Sequence, residues 1–314
     1  MKVTIGIPCF NAERWLRRAI DSALAQTWPD CEVIVVDDGS SDSSLSIAQD
    51  FGERIRVFCK DHGGANHARN EVLAQARGDW IQFLDADDEI EPEKIARQFS
   101  EAHDGANADV IYSPVWIETT TDGRVERVAS ETDPQTDIFA QWLAWKIPQT
   151  GGALWRRSAL ESLGGWKEDQ PCCQEHELYL RAIKAGLRFA YAPTPHAIYR
   201  VWSDETLCRK DPGLVVNVKT GLIDDLRDWM KRKNLWTAEH DRIAGRACFE
   251  MARTVARYDL DEAAAYHDGR KERGLIHLEG PAAPLTYQLA YRALGFAAAE
   301  KLADRRRKTS LASS

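Results

Sequence analysis

Apolar and polar residues alternate along residues 2–84 with two different periods. Four short runs are almost continuously apolar and predict β-strands, namely Lys2–Pro8, Glu32–Asp38, Arg54–Phe58 and Trp80–Leu84. Between these runs, apolar residues recur every three or four positions, which predicts helices, and Asn11 is placed to cap the first one. This βαβαβαβ order predicts a doubly wound sheet with right-handed crossovers. In such sheets, ligands bind beyond the carboxyl ends of the strands.

The rest of the chain divides into a mixed segment and a helical segment. Within residues 93–205 the sequence first predicts a helix over Glu93–His103 and one strand over Asp109–Glu118. A turn at Asp122-Gly123 and another strand follow. Three helices are then predicted, near residues 138–145, from Ser158 and over residues 174–185. After about residue 205 only helical periodicity remains, and Pro284–Lys308 is predicted to form one apolar helix with a basic end. We therefore predict an α/β domain over residues 1–205, followed by an all-helical region with a polar tail over residues 206–314.

Composition and charge limit which class of protein this is and which partners it can bind. The chain has 314 residues, 44% hydrophobic and 29% charged, and its net charge of −8 argues against binding to a nucleic acid backbone. No stretch reaches the roughly 18 apolar residues of a membrane span, and the start "MKVTIGIPCF" lacks the layout of a signal peptide. The seven cysteines are odd in number and lack metal-type spacing, which indicates reduced thiols. We expect a cytoplasmic protein.

Acidic residues cluster at the end of the fourth predicted strand, in "WIQFLDADDEIEP". A solvated turn that starts the next helix would explain Glu91 and Glu93, but not Asp85 and Asp87. These two lie two positions apart directly after a buried strand, so they project from the same side. Because Mg²⁺ and Mn²⁺ are held by one or two carboxylates together with substrate phosphates, this pattern favours a metal site.

Three other segments carry candidate chemistry. The turn "VVDDGSSDSS" offers carboxylates that can accept from a base or a ribose, although such turns are common in structure alone. The segment "GGANHARN" combines two glycines, which allow close backbone approach, with Arg69 on the following helix. In "CCQEHELYL", Glu175 begins a helix, where it either complements the helix dipole or serves as a general base in a partly dry site. Dinucleotide binding of the Rossmann type is disfavoured, since "PCFNAE" lacks the glycine fingerprint.

Taken together, these segments make the chain resemble glycosyltransferase family 2. The matching pieces are "VTIGIPCFNAERWLRRAIDSALAQTWPDCEVIVVDDGSSDSS", "GGANHARNEVLAQARGDWIQFLDADDEIEPEKI" and "GALWRRSALESLGGW" followed by "QEHELYLRAIKAGLRFAY". They cover about residues 2–202 in order and at fitting separations. The resemblance implies a GT-A fold, a doubly wound mixed sheet flanked by helices. It further implies a catalytic domain over residues 1–205, with a nucleotide-binding half at 1–115 and an acceptor half at 116–205.

For the donor, the resemblance implies a nucleotide-sugar site, with a UDP-sugar as the expected ligand. Carried over by position, Pro8, Phe10 and Asn11 line the nucleoside pocket. Asp38 reaches the base, and Arg69 lies near the nucleotide.

For the metal and the base, the resemblance assigns four carboxylates. Asp85 contacts the ribose or the metal region, Asp87 holds Mn²⁺ or Mg²⁺ against the diphosphate, and Asp88 supports both. The family's usual Glu-Asp pair reads Gln-Glu at residues 174–175, which makes Glu175 the general base, one methylene longer than the usual Asp. The chain also departs from the family pattern at Trp202, where many relatives have His, so no role of that His is carried over.

The implied reaction is a metal-dependent, inverting transfer of a sugar to a glycan or lipid-linked acceptor, in polysaccharide or cell-surface glycan synthesis. Trp145, Trp155 and Trp166 are the tryptophans considered for stacking on a sugar, with core packing as the alternative. Two other functions stay open: a metal-dependent nucleotidyltransferase, and a non-catalytic module that binds nucleotide sugars. A nucleotidyltransferase would carry a glycine-rich loop with Lys near its N-terminus, which "PCFNAERW" lacks, and a binding module would carry an incomplete carboxylate set.

The apolar C-terminal helix has three interpretations. It packs on the catalytic domain, it forms a homodimer contact, or it lies on a membrane surface with the basic residues 305–308 facing anionic lipid.

Overall fold

The computed structural model describes residues 1–121, 124–132, 134–201 and 211–311. The chain divides into two compact units, Met1–Gln135 with Lys146–Ser203, and Thr136–Trp145 with Asp204–Ser314. The predicted turn at Asp122-Gly123 and the departure at Trp202 lie outside the described residues.

The described part of the first unit contains a seven-stranded mixed sheet and a smaller four-stranded sheet. The strands of the large sheet are Val3–Cys9 (β1), Cys31–Asp37 (β2), Arg56–Cys59 (β3), Trp80–Phe83 (β4), Val110–Tyr112 (β6), Ala153–Arg156 (β9) and Phe189–Tyr191 (β10). The strands of the small sheet are Glu89–Ile90 (β5), Trp116–Thr121 (β7), Arg124–Ala129 (β8) and Ala197–Val201 (β11). Their orders are β10-β6-β9-β4-β1-β2-β3 and β5-β11-β7-β8. In the large sheet, β9 alone runs antiparallel to its neighbours β4 and β6.

The helices follow in chain order. They are Leu16–Leu24 (α1), Ser44–Gln49 (α2), Ala65–Gln75 (α3), Lys94–Glu101 (α4), Ile138–Leu143 (α5), Arg157–Ser162 (α6), Gln174–Lys184 (α7), Pro212–Arg232 (α8), Ala238–Val255 (α9), Leu260–Glu272 (α10), Leu285–Leu294 (α11) and Phe296–Leu311 (α12). Helix α5 belongs to the second unit, although it lies within the range predicted for the α/β domain. The predicted mixed sheet flanked by helices and the helical C-terminal region are both confirmed.

Helices pack on both faces of the central strand β1, all of whose residues are buried. Ile5 and Ile7 join a buried cluster with Leu16 of α1. Gly6 points to the opposite face, since side chains alternate along a strand. There, a Cβ atom on Gly6 would overlap the side chain of Val72 in α3. A continuous apolar strand with one glycine thus positions two helices around the sheet edge where the acidic residues lie.

Two predictions of local structure in the first unit were wrong. Asn11 does not cap α1, because it has a left-handed backbone (φ 48°) and its side-chain oxygen accepts the Ser41 N–H at 2.8 Å. The single strand predicted over Asp109–Glu118 is two strands in different sheets, β6 and β7. Pro114 lies between them, and a proline cannot donate to a strand ladder.

The described residues of the second unit form helices and the loops that connect them, with no strand. The helix predicted over Pro284–Lys308 is two helices, α11 and α12, because Gly295 between them has a positive φ of 79°. That backbone conformation ends a helix and is readily adopted only by glycine. No helix among the residues described combines the length and the apolar character needed to cross a membrane.

Lys94, in the first turn of α4, is fully buried, and its Nζ has no hydrogen-bond partner in the described part of the chain. Burial lowers the pKa of this amine well below its ordinary value. We expect Lys94→Met, which keeps the length of the side chain, to raise the free energy of unfolding at neutral pH by about 1–3 kcal/mol. Urea denaturation measures this difference.

The stability difference between Lys94→Met and the natural protein should depend on pH. Between the lowered folded pKa and the unfolded pKa, the unfolded state binds more protons at Lys94, so the stability of the natural protein rises with pH. The advantage of Lys94→Met should therefore shrink between about pH 7 and pH 9, by at most about 1.4 kcal/mol per pH unit. If the free energies of unfolding of the two proteins instead changed with pH in parallel, Lys94 would be charged in the folded state.

Candidate functional site

Arg69 joins three segments that are distant in sequence. Its guanidinium, 5% exposed, donates to Asp85 Oδ1 at 2.8 Å and to Gln174 Oε1 at 2.8 Å, and it lies 4.6 Å above the ring of Trp166. Burial opposes the charged form, but the nearby carboxylates of Asp85 and Glu175 outweigh it and raise the Arg69 pKa. The sequence marks Arg69 as a candidate, and the structure buries it instead of leaving it on the surface.

The acidic loop after β4 carries an excess of negative charge. Asp88 is buried and accepts the backbone N–H of Arg200 at 2.9 Å. Burial, and then the charges of Asp87 and Asp85, raise its pKa well above the usual range, while Arg200 acts in the opposite direction. Asp85 and Asp87 are both half-buried. The carboxylates of this loop therefore act on one another.

Tyr199, on β11, lies among the same carboxylates and was missed in the sequence. Burial, followed by the charges of Asp88, Asp85, Glu175 and Asp87, raises its pKa to about 12. The four carboxylates therefore act on one half-buried phenol, although β11 lies more than 100 residues after the acidic loop. Only the Tyr-Arg pair at residues 199–200 marks the position, and a single aromatic residue in a short strand is not a signal of function.

Glu175 lies in the first turn of α7, where the helix dipole favours a negative charge. The residue before the helix, Cys173, has a left-handed backbone (φ 53°), which turns the chain sharply into α7. The Thr150 hydroxyl donates to Glu175 Oε1 at 2.6 Å from a 3₁₀ turn over Thr150–Gly152. Glu175 is half-buried, so its carboxylate is held in place and is partly accessible.

The predicted nucleoside residues lie at the ends of β1 and β2. Pro8 is a buried residue of β1, and Phe10, 45% exposed, stacks on His62 with ring centroids 4.0 Å apart. Asp38 is buried and accepts the N–H groups of the two glycines before α3, Gly63 at 3.1 Å and Gly64 at 2.8 Å. With its carboxylate engaged in this way, Asp38 fixes the glycine turn. His62, missed in the sequence, supplies a second ring beside Phe10.

Trp155 and Trp166, considered for sugar stacking, are each only 3% exposed and pack in the interior. Trp145 is half-buried in the second unit.

Arg200 connects the acidic loop to a neighbouring cavity. Its guanidinium pairs with Glu89 at 2.8 Å and Glu118 at 2.9 Å, and Nη1 donates to the Asp87 carbonyl at 3.4 Å. The cavity has a volume of about 320 Å³ and is lined by Trp15, Arg18, Glu118, Thr120, Val125, Arg127, Arg200 and Val201. The ion pairs on its wall therefore also hold the backbone of the acidic loop.

The residues fit a divalent metal only in part. No group of three or more His, Cys, Asp or Glu side chains is arranged to hold a metal within the described ranges. Burial and the charges of Asp87 and Asp85 raise the Asp88 pKa, so a cation at this loop would nevertheless be favoured. Asp85 already pairs with Arg69. This matches a Mg²⁺ or Mn²⁺ site of one carboxylate that substrate phosphates complete.

Comparison with known proteins identifies the family. The sequence profile of Glycosyl transferase family 2 matches residues 4–164, and the chain belongs to this family, as its motifs predicted. An uncharacterized glycosyltransferase of Rickettsia typhi is 41% identical over 109 residues, which cover 35% of this chain and 34% of the relative. An uncharacterized glycosyltransferase of Nostoc is 31% identical over 172 residues, 52% of this chain and 53% of the relative. The chain thus spans between about a third and a half of the length of these relatives.

Solved structures confirm the GT-A fold. Residues 1–349 of Staphylococcus aureus TarS in complex with UDP-GlcNAc superpose with a TM-score of 0.56 at 17% identity, over 87% of this chain and 92% of that one. The mannosyltransferase PcManGT from Pyrobaculum calidifontis, in complex with GDP-Man and Mn²⁺, gives a TM-score of 0.53 at 18% identity, over 96% of this chain and 86% of that one.

Proposed function

We propose that this protein is a metal-dependent, inverting glycosyltransferase. It moves a hexosyl group from a nucleotide sugar, UDP-linked in our proposal, to a glycan or lipid-linked acceptor in polysaccharide or cell-surface glycan synthesis in the cytoplasm. The observation that carries the proposal is the buried Arg69, which pairs with Asp85 at 2.8 Å and donates at 2.8 Å to Gln174, the residue before Glu175, and so joins the acidic loop to the start of α7. After burial, the charges of Asp88, Asp85, Glu175 and Asp87 also raise the pKa of Tyr199. TarS and PcManGT, which share the fold, bind UDP-GlcNAc and GDP-Man.

In this proposal the donor lies along the ends of β1, β2 and β4. The nucleoside occupies the region of Pro8, Phe10 and Asn11, and Asp38 reaches the base, while its carboxylate also fixes the glycine turn before α3. Arg69 holds Asp85 in place, so that Asp85 can accept from the ribose or the metal region. The exposed Phe10 ring, backed by His62, offers a flat surface for the base.

Asp87 is the proposed ligand of Mn²⁺ or Mg²⁺. When bound, the ion would offset the negative charge on the departing nucleoside diphosphate. Asp88 and Arg200 support Asp87, because the Arg200 backbone holds Asp88 and its side chain contacts the Asp87 carbonyl. The protein would contribute one negative side chain, and substrate phosphates and water would supply the remaining oxygen ligands.

Glu175 is the proposed general base. It takes the proton of an acceptor hydroxyl, whose oxygen forms a bond to the anomeric carbon as the bond to the diphosphate oxygen breaks on the opposite face. One such displacement inverts the anomeric configuration. The Thr150 hydroxyl holds one Glu175 oxygen, which leaves the other for the acceptor.

Thermal unfolding with a panel of nucleotide sugars tests the proposal. A matching UDP-sugar should raise the melting temperature with Mn²⁺ present and less with EDTA, since a ligand at about 100 times its Kd adds about 2.7 kcal/mol of stability. Release of free UDP on adding an acceptor pool would separate a transferase from a binding module. Stabilisation by nucleoside triphosphates, with no effect of any nucleotide sugar, would favour the nucleotidyltransferase instead.

A further inference from the structure

Aromatic residues of helices α11 and α12 pack against the rest of the second unit. Tyr287 and Phe296 pack edge-on against Phe249 of α9, with ring centroids 5.7 and 6.5 Å apart. His267 of α10 stacks on Phe296 at 4.4 Å and contacts the Tyr291 hydroxyl through Nε2 at 2.8 Å. Positions 287 and 291 are four residues apart and therefore lie on the same side of α11.

The side of α11 away from these contacts is apolar and exposed. Leu285 and Leu289 are 70% and 57% exposed, and on a helix they lie nearly opposite Tyr287. Leu294 at the end of α11 and Leu302 on α12 are also exposed, at 58% and 40%, but Leu294 follows Leu285 by nine residues and so lies on the side of Tyr287. We call Leu285 and Leu289 the leucine face. Two neighbouring leucines that are both exposed to this extent form an apolar patch.

The charge around the leucine face is positive, in contrast to the rest of the chain. Residues 285–311 contain six Arg or Lys and two acidic residues, whereas the whole chain has a net charge of −8. Arg292, Lys301, Arg305 and Arg306 are exposed, on the same stretches as the leucines. One of the two acidic residues, Glu300, is 2% exposed and pairs with Arg253 at 2.6 Å, so its charge is neutralised inside the unit.

We propose that the leucine face docks on the surface of a bilayer that contains anionic phospholipid. Amphipathic helices bind such surfaces by inserting apolar side chains at the acyl boundary, while arginines and lysines meet the headgroup phosphates. Charge complementarity favours this occupant over a second copy of the chain. A twofold contact through the leucine face would bring together two copies of the same positively charged stretch. The proposal does not depend on the transferase activity.

Vesicle co-sedimentation of the full chain tests this assignment. The protein should pellet with vesicles of phosphatidylcholine and phosphatidylglycerol, much less with phosphatidylcholine alone, and less as salt is raised. The double variant Leu285→Glu/Leu289→Glu should lower the bound fraction by about ten-fold. Leu235→Glu is the matched control, because Leu235 is a 44% exposed leucine of the same unit outside the leucine face, and it should bind as the natural protein does.

A second variant keeps the test independent of any loss of folding. Arg305→Gln/Arg306→Gln changes only exposed side chains and should weaken binding to the anionic vesicles by about ten-fold. Natural protein that stays in the supernatant with both vesicle types would overturn the proposal. It would also be overturned if light scattering showed a dimer that Leu285→Glu/Leu289→Glu converts to a monomer, since the leucine face would then be a subunit interface.

Discussion

Replacing Asp87 by alanine is expected to abolish sugar transfer and the metal dependence of donor binding. The variant removes a half-buried carboxylate from the loop where the charges of Asp85 and Asp87 raise the pKa of Asp88. Without it, nothing at this position would attract the cation that offsets the diphosphate charge, and the rate should fall by about a thousand-fold. The measurements are UDP release in the presence of acceptor, and the thermal shift that a UDP-sugar gives with Mn²⁺ and with EDTA.

A nearby acidic residue provides the control for this experiment. Glu93 precedes α4, and its exposed side chain pairs with Arg97 at 3.2 Å, so Glu93→Ala removes the same charge without touching the acidic loop. It should leave both measurements unchanged. If Asp87→Ala kept a Mn²⁺-dependent thermal shift of natural size, Asp87 would not be the metal ligand.

The central sheet could be predicted from the sequence because its signal is local. Strands β1, β2 and β4 are almost continuously apolar, and a sheet covered on both faces buries all of β1 and β4 and the last five residues of β2. The two failures at element boundaries depended on single residues. Pro114 divides a run that reads as one strand, and Gly295 divides a run that reads as one helix. In both cases the apolar pattern continues through the break, so periodicity alone does not show it.

Some site residues are marked by the local sequence, whereas the roles of others depend on contacts with distant segments. The spacing of Asp85 and Asp87 after a buried strand points to their shared edge, and in the structure the charges of both, with that of Glu175, act on Tyr199. The burial of Arg69 could not be predicted, because it depends on Gln174, which lies 105 residues further along the chain. The role of Asp38 at the base stays a prediction, and the hydrogen bonds from the Gly63 and Gly64 N–H groups to its carboxylate could not be predicted. Hydrogen bonds to the backbone of another segment leave no trace in residue types or spacing.

Glu175→Gln is expected to lose turnover while keeping donor binding. The amide has nearly the same shape as the carboxylate, and its carbonyl oxygen can still accept the Thr150 hydroxyl that now lies 2.6 Å from Glu175 Oε1. It cannot accept a proton, so transfer should fall by about 10²–10⁴-fold, the usual contribution of a general base. The thermal shift by a UDP-sugar with Mn²⁺ should be unchanged, because Asp87 and the nucleoside region are intact.

The Glu175 substitutions separate a lost base from a damaged site. Glu175→Asp keeps a carboxylate and restores the side-chain length usual in the family, so it should retain measurable transfer, whereas Glu175→Gln should not. Glu161→Gln, at an exposed residue of α6 that pairs with Arg157 at 3.1 Å, is the neutral control for the loss of one charge. Natural turnover in Glu175→Gln would remove Glu175 from the role of base. Equal loss in the Gln and Asp variants, with donor binding intact, would instead show that the position of the carboxylate, set by Cys173 and Thr150, limits the reaction as much as its charge does.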